Sequence, residues 1–254
     1  MKGALGLLYG ILCYLFFLAV LLREIWFVCT MDKLPARSSP SVALGTDTTL
    51  LALFAIQHSG MARQGFKRLW TRLVPQAMER STYVLVASVL LLTVIELWQP
   101  MPWTVWNIGW RPAVITLEVL FWLVWVQVLI YTFLINHFDL FGLQQVWNYW
   151  RDVPYEPPKF VTPGPYRVVR HPIYLGTLVA FWTTPHMTLG HLFFAVVCTA
   201  YIVVAIRWEE RDMITFHGES YRTYRSGVSK LLPIPTKKKQ VAEVGEKRAS
   251  QSTT

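Results

Sequence analysis

The chain has 254 residues, of which 54% are hydrophobic and only 15% are charged. So much apolar sequence excludes a disordered protein, and so few charged side chains could not cover the surface of a soluble globule. The net charge of +9 comes from basic residues that cluster between uncharged apolar runs, a pattern typical of the inner face of a membrane rather than of a nucleic-acid groove.

Several apolar runs come close to the roughly 20 residues that a helix needs to cross a bilayer. Three of them are clear: Ala4–Leu22, Ser81–Trp98 and Ala113–Ile135. A further run, Ala43–Ile56, is short, and Ile173–Arg207 is too long for one helix, so we interpret Thr183–Gly190 as a tight turn between two short helices. The sequence therefore predicts an all-α, polytopic transmembrane helical bundle with five or six spans.

The distribution of basic residues orients this bundle. Lys2 and the segments 60–80, 136–171 and 207–254 carry 20 of the Lys and Arg residues, whereas the alternate loops carry 4. By the positive-inside rule we expect both termini and these three segments on the cytoplasmic side of a bacterial inner membrane. Residues 236–254, rich in Lys, Glu, Ser and Thr, are predicted to be a disordered basic tail, which leaves 1–235 as a single transmembrane domain.

Ionisable and polar groups gather at the predicted cytoplasmic ends of four helices. These groups lie in Gln57–Ser59, Asn136–Asp139, Arg170–Pro172 and Arg207–Asp212. Helix ends that meet on one side of a membrane can form a shared pocket, so we predict a cytoplasmic-side site there. Since such ends are polar in many membrane proteins, a purely structural role is an equal alternative for any single residue.

The segment Thr162–Gly176 is the most informative of these. Pro172 suits the first turn of a helix and would place Arg170 and His171 at the start of that helix, near Tyr174. An Arg and a His beside free backbone N–H groups would hold a carboxylate, and Tyr166 or Tyr174 could stack on a flat base. Taken alone, a basic turn beside a membrane is more often a lipid-headgroup anchor.

Two adjacent carboxylates, Glu209 and Glu210, form the second part of the predicted site. They repel each other, so each requires a partner of its own. Either both pair with nearby arginines, or one bridges to Arg170 or His171 while the other accepts hydrogen bonds from a ligand.

These motifs, with Phe216–His217–Gly218, Tyr221 and a terminal proline, resemble the isoprenylcysteine carboxyl methyltransferase superfamily of integral-membrane methyltransferases. The likeness covers about residues 162–233. It implies that S-adenosyl-L-methionine binds on the cytoplasmic side, in the C-terminal part of the domain at about 160–235. The residues expected to line this cofactor pocket are Tyr166, Arg170, His171, Pro172, Tyr174, Gly176, Glu209, Glu210 and Tyr221.

The first half of the chain makes the resemblance more specific. Gln57–Arg63, Glu79–Tyr83 and Asn136–Leu143 are similar to segments of the bacterial methanethiol S-methyltransferases, which make dimethyl sulfide. With both halves, the likeness spans nearly the whole chain. It implies a small thiol as the methyl acceptor, membrane lipids as neighbours, and no nucleic-acid partner.

Methyl transfer to a thiol uses the thiolate, so a neutral imidazole near the pocket is the expected general base. The candidates are His58 and His137, the latter with Asn136 beside it. We favour His58 because Gln57 and Ser59 could hold one of its tautomers, although the thiol could also deprotonate without a protein base. The three cysteines lie in apolar runs without metal-ligand spacing, and we expect no metal.

Three other functions stay open at this point. The acceptor could be a lipid, either an isoprenylated carboxylate or an amine. A nicotinamide-dependent reductase is a second possibility, since membrane sterol reductases have a similar C-terminal half. A transporter or assembly factor could use the acids Glu96 and Glu118 as a proton path, but we expect these acids to pair structurally with Arg111 or with nearby Trp and Asn groups.

Overall fold

The protein is a bundle of membrane helices with very little strand, which confirms the predicted all-α class. A computed structural model describes residues 2–234, so the predicted tail at 236–254 lies outside the described residues. The helices are α1 Lys2–Thr30, α2 Pro40–Met61, α3 Gln64–Trp70, α4 Gln76–Leu97, α5 Arg111–Leu134, α6 His137–Leu140, α7 Leu143–Trp150, α8 Pro172–Trp182 and α9 Leu189–Gly227. The two strands are β1 Thr104–Asn107 and β2 His186–Thr188.

Four helices, α1, α4, α5 and α9, are long and apolar enough to cross a membrane. The apolar helix α8 has 11 residues and rises only about 17 Å, so it reaches roughly half-way through a bilayer core. The predicted turn between two helices is confirmed, because α8 and α9 are separate. The prediction that the second of them ends near Arg207 is wrong: α9 continues to Gly227, with a kink at Gly218, whose backbone is not helical.

Helices α1, α2, α4 and α5 alternate in direction along the chain, so that α1 and α4 are parallel, and they define two ends of the bundle. At one end, here called the hairpin end, β1 and β2 pair antiparallel, with Thr104 opposite Thr188 and Asn107 opposite His186. The backbone N–H of Gly190 donates to the carbonyl of Met101 at 2.9 Å, and a Cβ on Gly190 would lie 3.0 Å from the Met101 nitrogen. This close approach seats the start of α9 on the chain that enters β1.

The core is densest towards the hairpin end. Phe27, Trp98 and Phe194 are each less than 5% exposed and meet edge to face, with ring centroids 5.7 to 5.9 Å apart. Asp47 is completely buried and accepts a hydrogen bond from the backbone N–H of Gln99 at 2.9 Å. The carboxylate thereby satisfies a backbone donor of the loop that follows α4.

The intramembrane acids do not form an internal path. Glu96 pairs with Arg23 at 2.9 Å rather than with Arg111, and both partners are more than one third exposed. Glu118 is exposed on α5. These two acids therefore give no structural support to the interpretation of the protein as a transporter.

The opposite end, here called the basic end, contains α3, α6, α7, the start of α8 and the second half of α9. Two glycines of α1 let α7 pack closely there. A Cβ on Gly10 would lie 2.5 Å from Cγ2 of Val146, and a Cβ on Gly6 would lie 3.2 Å from Cδ1 of Tyr149. Small residues at a helix contact allow such an approach in membranes, and they fix the position of the loop that carries α6.

Gly142, between α6 and α7, is expected to be intolerant of a side chain. Its φ is +90°, and a Cβ would lie 2.6 Å from the backbone nitrogen of Ser81. Strain and overpacking each cost about 1–3 kcal/mol, so Gly142→Ala should lower the midpoint of thermal unfolding in detergent. Gly65→Ala is the matched control, because nothing lies within 4 Å of its added Cβ; equal midpoints for the two variants would contradict the described contact.

Candidate active site

A turn at the basic end carries the first group of predicted site residues. A short 3-10 helix, Gly164–Arg167, leads into the turn, and Pro172 occupies the first turn of α8 as predicted. Arg170 and His171 directly precede α8, with His171 at its N-cap position, so they lie at the start of that helix as predicted. The chain after α9 pairs with them.

This pairing is an isolated parallel bridge between Val169 and Ser229. The backbone N–H of Arg170 donates to the carbonyl of Ser229 at 2.8 Å, and that of His171 donates to Lys230 at 3.2 Å. The residues that follow α9 therefore complete the turn before α8.

Arg170, His171 and Glu210 meet in a buried ion-pair network, here called the Glu210 clamp. Oε1 of Glu210 lies 2.7 Å from Nε of Arg170 and 3.2 Å from Nε2 of His171. The three side chains are at most 9% exposed. Arg170 also donates through Nη1 to the carbonyl of Arg225 at 2.8 Å and to that of Val228. The clamp joins the turn before α8 to both the middle and the end of α9.

The electrostatics of the clamp favour the ionised form of Glu210. Burial is the largest single influence and raises the pKa of this carboxyl, but the hydrogen bond from His171 and the charge and hydrogen bond of Arg170 outweigh it. Together they hold the pKa of Glu210 at about 2. Glu210 is therefore a permanent anion whose lone pairs are committed to the protein.

The neighbouring Glu209 has fewer hydrogen-bond partners than Glu210. Its Oε2 atom is buried and accepts no hydrogen bond within residues 2–234, although Nδ1 of His171 lies 3.8 Å away. The side chain as a whole is 43% exposed. The hydroxyl of Tyr174 interacts with the Glu209 carboxylate, and its ring stacks on that of His171 at 5.6 Å. A buried carboxylate oxygen without a donor costs free energy, and it can accept a hydrogen bond from a ligand.

An aromatic cluster lies beside the clamp. Tyr221 is 3% exposed and contacts the rings of Tyr224 and Phe160 at 5.7 and 5.6 Å. The hydroxyl of Tyr224 donates to the carbonyl of Tyr166 at 2.6 Å. Phe160 also packs on His217 at 5.2 Å. Sequence analysis missed Phe160, because a lone aromatic in a proline-rich loop carries no periodic signal.

Gly176 lies where α8 packs against α5. A Cβ on Gly176 would lie 2.7 Å from Cγ2 of Val128, so this glycine allows the two helices to approach each other. Its predicted place in the cofactor pocket stays a prediction.

His58, near the end of α2, also lies at the basic end. The hydroxyl of Tyr83 lies 3.1 Å from Nε2 and 3.2 Å from Nδ1 of His58, and Phe54 stacks on the imidazole at 5.2 Å. The expected orienting residues have other partners: Gln57 donates to the sulfur of Met61, and Ser59 shares a hydrogen bond with Tyr201. Tyr83 therefore contacts His58 in their place.

Two contacts attach the end of α2 to α9. Ser59 and Tyr201 are joined by a hydrogen bond of 2.9 Å, and Arg63 pairs with Asp212 at 2.9 Å. Tyr174 of α8 lies within electrostatic range of both Tyr83 and Tyr201. The structure thus brings the His58 region and the Glu209–Glu210 region together between α2, α4, α8 and α9.

The other candidate base, His137, is enclosed. It is 2% exposed, and its Nδ1 and Nε2 each lie 2.7 Å from a hydroxyl, of Thr132 and Tyr14 respectively. Burial lowers its pKa. Asn136 has φ of +89° and accepts the backbone N–H of Asp139 through its side chain, as a helix cap. These contacts use both imidazole nitrogens and the amide oxygen within the fold.

Comparisons with known proteins give one family assignment. The chain is 48% identical over 237 residues to a methanethiol S-methyltransferase of Crocosphaera subtropica, covering 91% of this chain and 93% of the relative. It is 50% identical over 242 residues to one of Mycobacterium tuberculosis, covering 92% and 98%, and 45% identical over 235 residues to one of a Pseudomonas species, covering 90% of each. A phospholipid methyltransferase family model matches residues 143–220. No solved structure matches the chain.

Proposed function

Because the chain belongs to the methanethiol S-methyltransferase family, we propose that this integral-membrane methyltransferase methylates methanethiol with S-adenosylmethionine and forms dimethyl sulfide. The observation that carries the proposal is the difference between the two adjacent glutamates. Glu210 is bound within the clamp, whereas the Oε2 atom of Glu209 is buried and accepts no hydrogen bond from residues 2–234. His58 lies at the same end of the bundle.

The residues present fit this cofactor. Oε2 of Glu209 would accept a hydrogen bond from its amino group or a ribose hydroxyl, and Tyr166, which is partly exposed, would offer aromatic surface for its base, with the buried Tyr221 behind it. Because Arg170 donates to Glu210 and to two carbonyls, the cofactor carboxylate would bind the backbone N–H groups at the start of α8. When bound, S-adenosylmethionine supplies a methyl group on an electrophilic sulfonium sulfur.

The chain contributes proton transfer and alignment. His58 accepts the proton of the thiol, and the resulting thiolate sulfur forms a bond to the methyl carbon as the carbon–sulfonium bond breaks. The electron pair of the broken bond stays on the cofactor sulfur. Holding donor and acceptor in line can contribute about 7–11 kcal/mol, and the tight packing of α2 on α9 provides such a fixed arrangement. No step of this sequence requires a metal.

We also propose that the basic end faces the cytoplasm of a bacterium, with the protein in the inner membrane and both termini inside. The supporting observation is the excess of Lys and Arg, 20 against 4, in the segments of that end. Residues 1–235 would act as one domain, since the pairing of Val169 with Ser229 and that of Arg63 with Asp212 join distant parts of the chain.

Isotope-labelled S-adenosylmethionine tests the proposed reaction. Purified protein in detergent is incubated with methyl-labelled cofactor and methanethiol, a farnesylated cysteine or phospholipid vesicles. We expect label in a volatile sulfide and none in the other two acceptors. Label in a phospholipid amine would instead support the activity named by the family model that matches 143–220, and label in a methyl ester would assign an isoprenylated substrate.

A further inference from the structure

Three cations surround the end of α2 that carries His58, and two of them are neutralised. Arg63 pairs with Asp212 at 2.9 Å, and Lys67 pairs with Glu79 at 3.7 Å. Arg80 is different, because no carboxylate of residues 2–234 lies within ion-pair distance of it. Its Nε donates to the carbonyl of Leu140 at 2.8 Å, which fixes the guanidinium without cancelling its charge.

The guanidinium of Arg80 lies next to the proposed base. Its Cζ atom is 5.3 Å from the centroid of the Tyr83 ring, and the hydroxyl of that tyrosine is 3.1 Å from Nε2 of His58. Arg80 is only partly exposed, so solvent screens its charge less than that of a surface arginine.

On the basis of the proposed function, we infer that Arg80 supplies the positive charge that stabilises the thiolate of a small aliphatic thiol beside His58. A cation within about 4–6 Å favours the ionised form of an acid by roughly 1–3 pKa units, and reactive thiolates in proteins lie next to such cations. The same charge disfavours protonated imidazole, so His58 stays neutral until it receives the thiol proton.

The other charged and titratable groups around Arg80 leave this charge in place. They are His58 on α2, Lys67 on α3, Glu79 and Tyr83 on α4, Tyr155 after α7, and Asp139 on α6, which accepts the Tyr155 hydroxyl at 2.6 Å. Glu79 is engaged by Lys67, and Asp139 is engaged by Tyr155 and by Gln145 at 3.1 Å. In number these charges cancel, two cations against two carboxylates, but Arg80 is the one that lies beside Tyr83 and acts on His58, whereas Asp139 lies against Tyr155 and Gln145.

A series of thiols of graded acidity tests the inference with the full-length enzyme in detergent. Methanethiol, 2-mercaptoethanol and trifluoroethanethiol are compared as acceptors for wild type, Arg80→Gln and Arg80→Lys. For Arg80→Gln we expect kcat/KM with methanethiol to fall about 10- to 1,000-fold, matching a loss of 1–3 pKa units of stabilisation. The loss should shrink towards the most acidic thiol, which is already ionised in solution.

Two further measurements distinguish the loss of the Arg80 charge from a change in the structure of the protein. The rising limb of the pH–rate profile should move to higher pH in Arg80→Gln, and Arg80→Lys should keep the wild-type profile. Arg68→Gln is the matched control, since it removes one exposed arginine of the neighbouring α3 and should change neither rate nor profile. Cofactor affinity should be unchanged in all three variants.

An equal loss for every thiol, or an unmoved profile in Arg80→Gln, would overturn the inference and leave the methyltransferase activity of the wild type standing. Loss of cofactor binding in both Arg80 variants would assign Arg80 a structural role and would also overturn it. A wild-type enzyme that methylates none of the thiols would overturn the proposed function and this inference together.

Discussion

Replacing Glu210 by Gln should weaken the binding of S-adenosylmethionine about 100-fold or more. The change removes the anion that Arg170 and His171 share at 2.7 and 3.2 Å, and it leaves Arg170 buried without a counter-charge. Breaking one partner of a buried ion pair costs about 3–5 kcal/mol, and each 1.4 kcal/mol is a factor of ten in an equilibrium constant. Isothermal titration of purified protein with the cofactor measures this loss.

Glu219→Gln is the matched control, because that glutamate lies on the same helix and its side chain is 85% exposed. It should bind the cofactor like wild type. Unchanged affinity in folded Glu210→Gln would show that the cofactor binds elsewhere. Thermal unfolding of both variants distinguishes a lost clamp from a protein that fails to fold.

The low pKa of Glu210 also predicts the pH dependence of the clamp. With a folded-state pKa of about 2, below the ordinary value, its contribution to stability is present above the unfolded pKa and is lost only as pH falls towards 2. Cofactor affinity should therefore show no acidic limb from this residue under assay conditions. A fall in affinity between neutral pH and pH 5 would have to come from another group.

Replacing His58 by Ala should spare cofactor affinity and lower turnover with methanethiol by about 100- to 10,000-fold, the usual contribution of a general base. The loss should ease as pH rises, because more of the thiol is then ionised before it binds. Single-turnover rates across a pH series measure both effects.

His186→Ala provides the comparison, since this histidine lies at the hairpin end, where it bonds Thr104 at 3.0 Å. It should keep the wild-type rate. Full activity of His58→Ala near neutral pH would refute the base assignment and would favour deprotonation of the thiol without a protein base.

The residues of the clamp could be predicted because charge is rare in this chain. Arg170, His171 and the paired glutamates interrupt apolar sequence, and an ionisable group near a membrane is costly unless it has a partner. Hydropathy therefore located both halves of the clamp, and it located the helices α1, α4, α5 and α9. It could not tell which glutamate binds Arg170, because that depends on the rotation of α9 about its axis.

The hydropathy pattern did not predict where α9 ends, because this helix is longer than its apolar part. The charged residues after Ile206 were interpreted as the end of a helix, yet they only mark where α9 leaves the apolar region and continues to Gly227. The pairing of Val169 with Ser229 was invisible for another reason: the two residues are far apart in sequence, and a single bridge leaves no periodic pattern. Phe160 and Tyr83 likewise reach the site through tertiary packing alone.

The bridge between Val169 and Ser229 has a consequence for biosynthesis. A chain leaves the ribosome from its N-terminus, so α1, α4 and α5 can enter the membrane before Ser229 and Lys230 are made. The turn that carries Arg170 and His171 lacks its backbone partners until then. Insertion of these three helices and completion of the turn are thus separate events in time, and under the proposed function a chain that lacks Ser229 and Lys230 would insert these helices but would not bind the methyl donor.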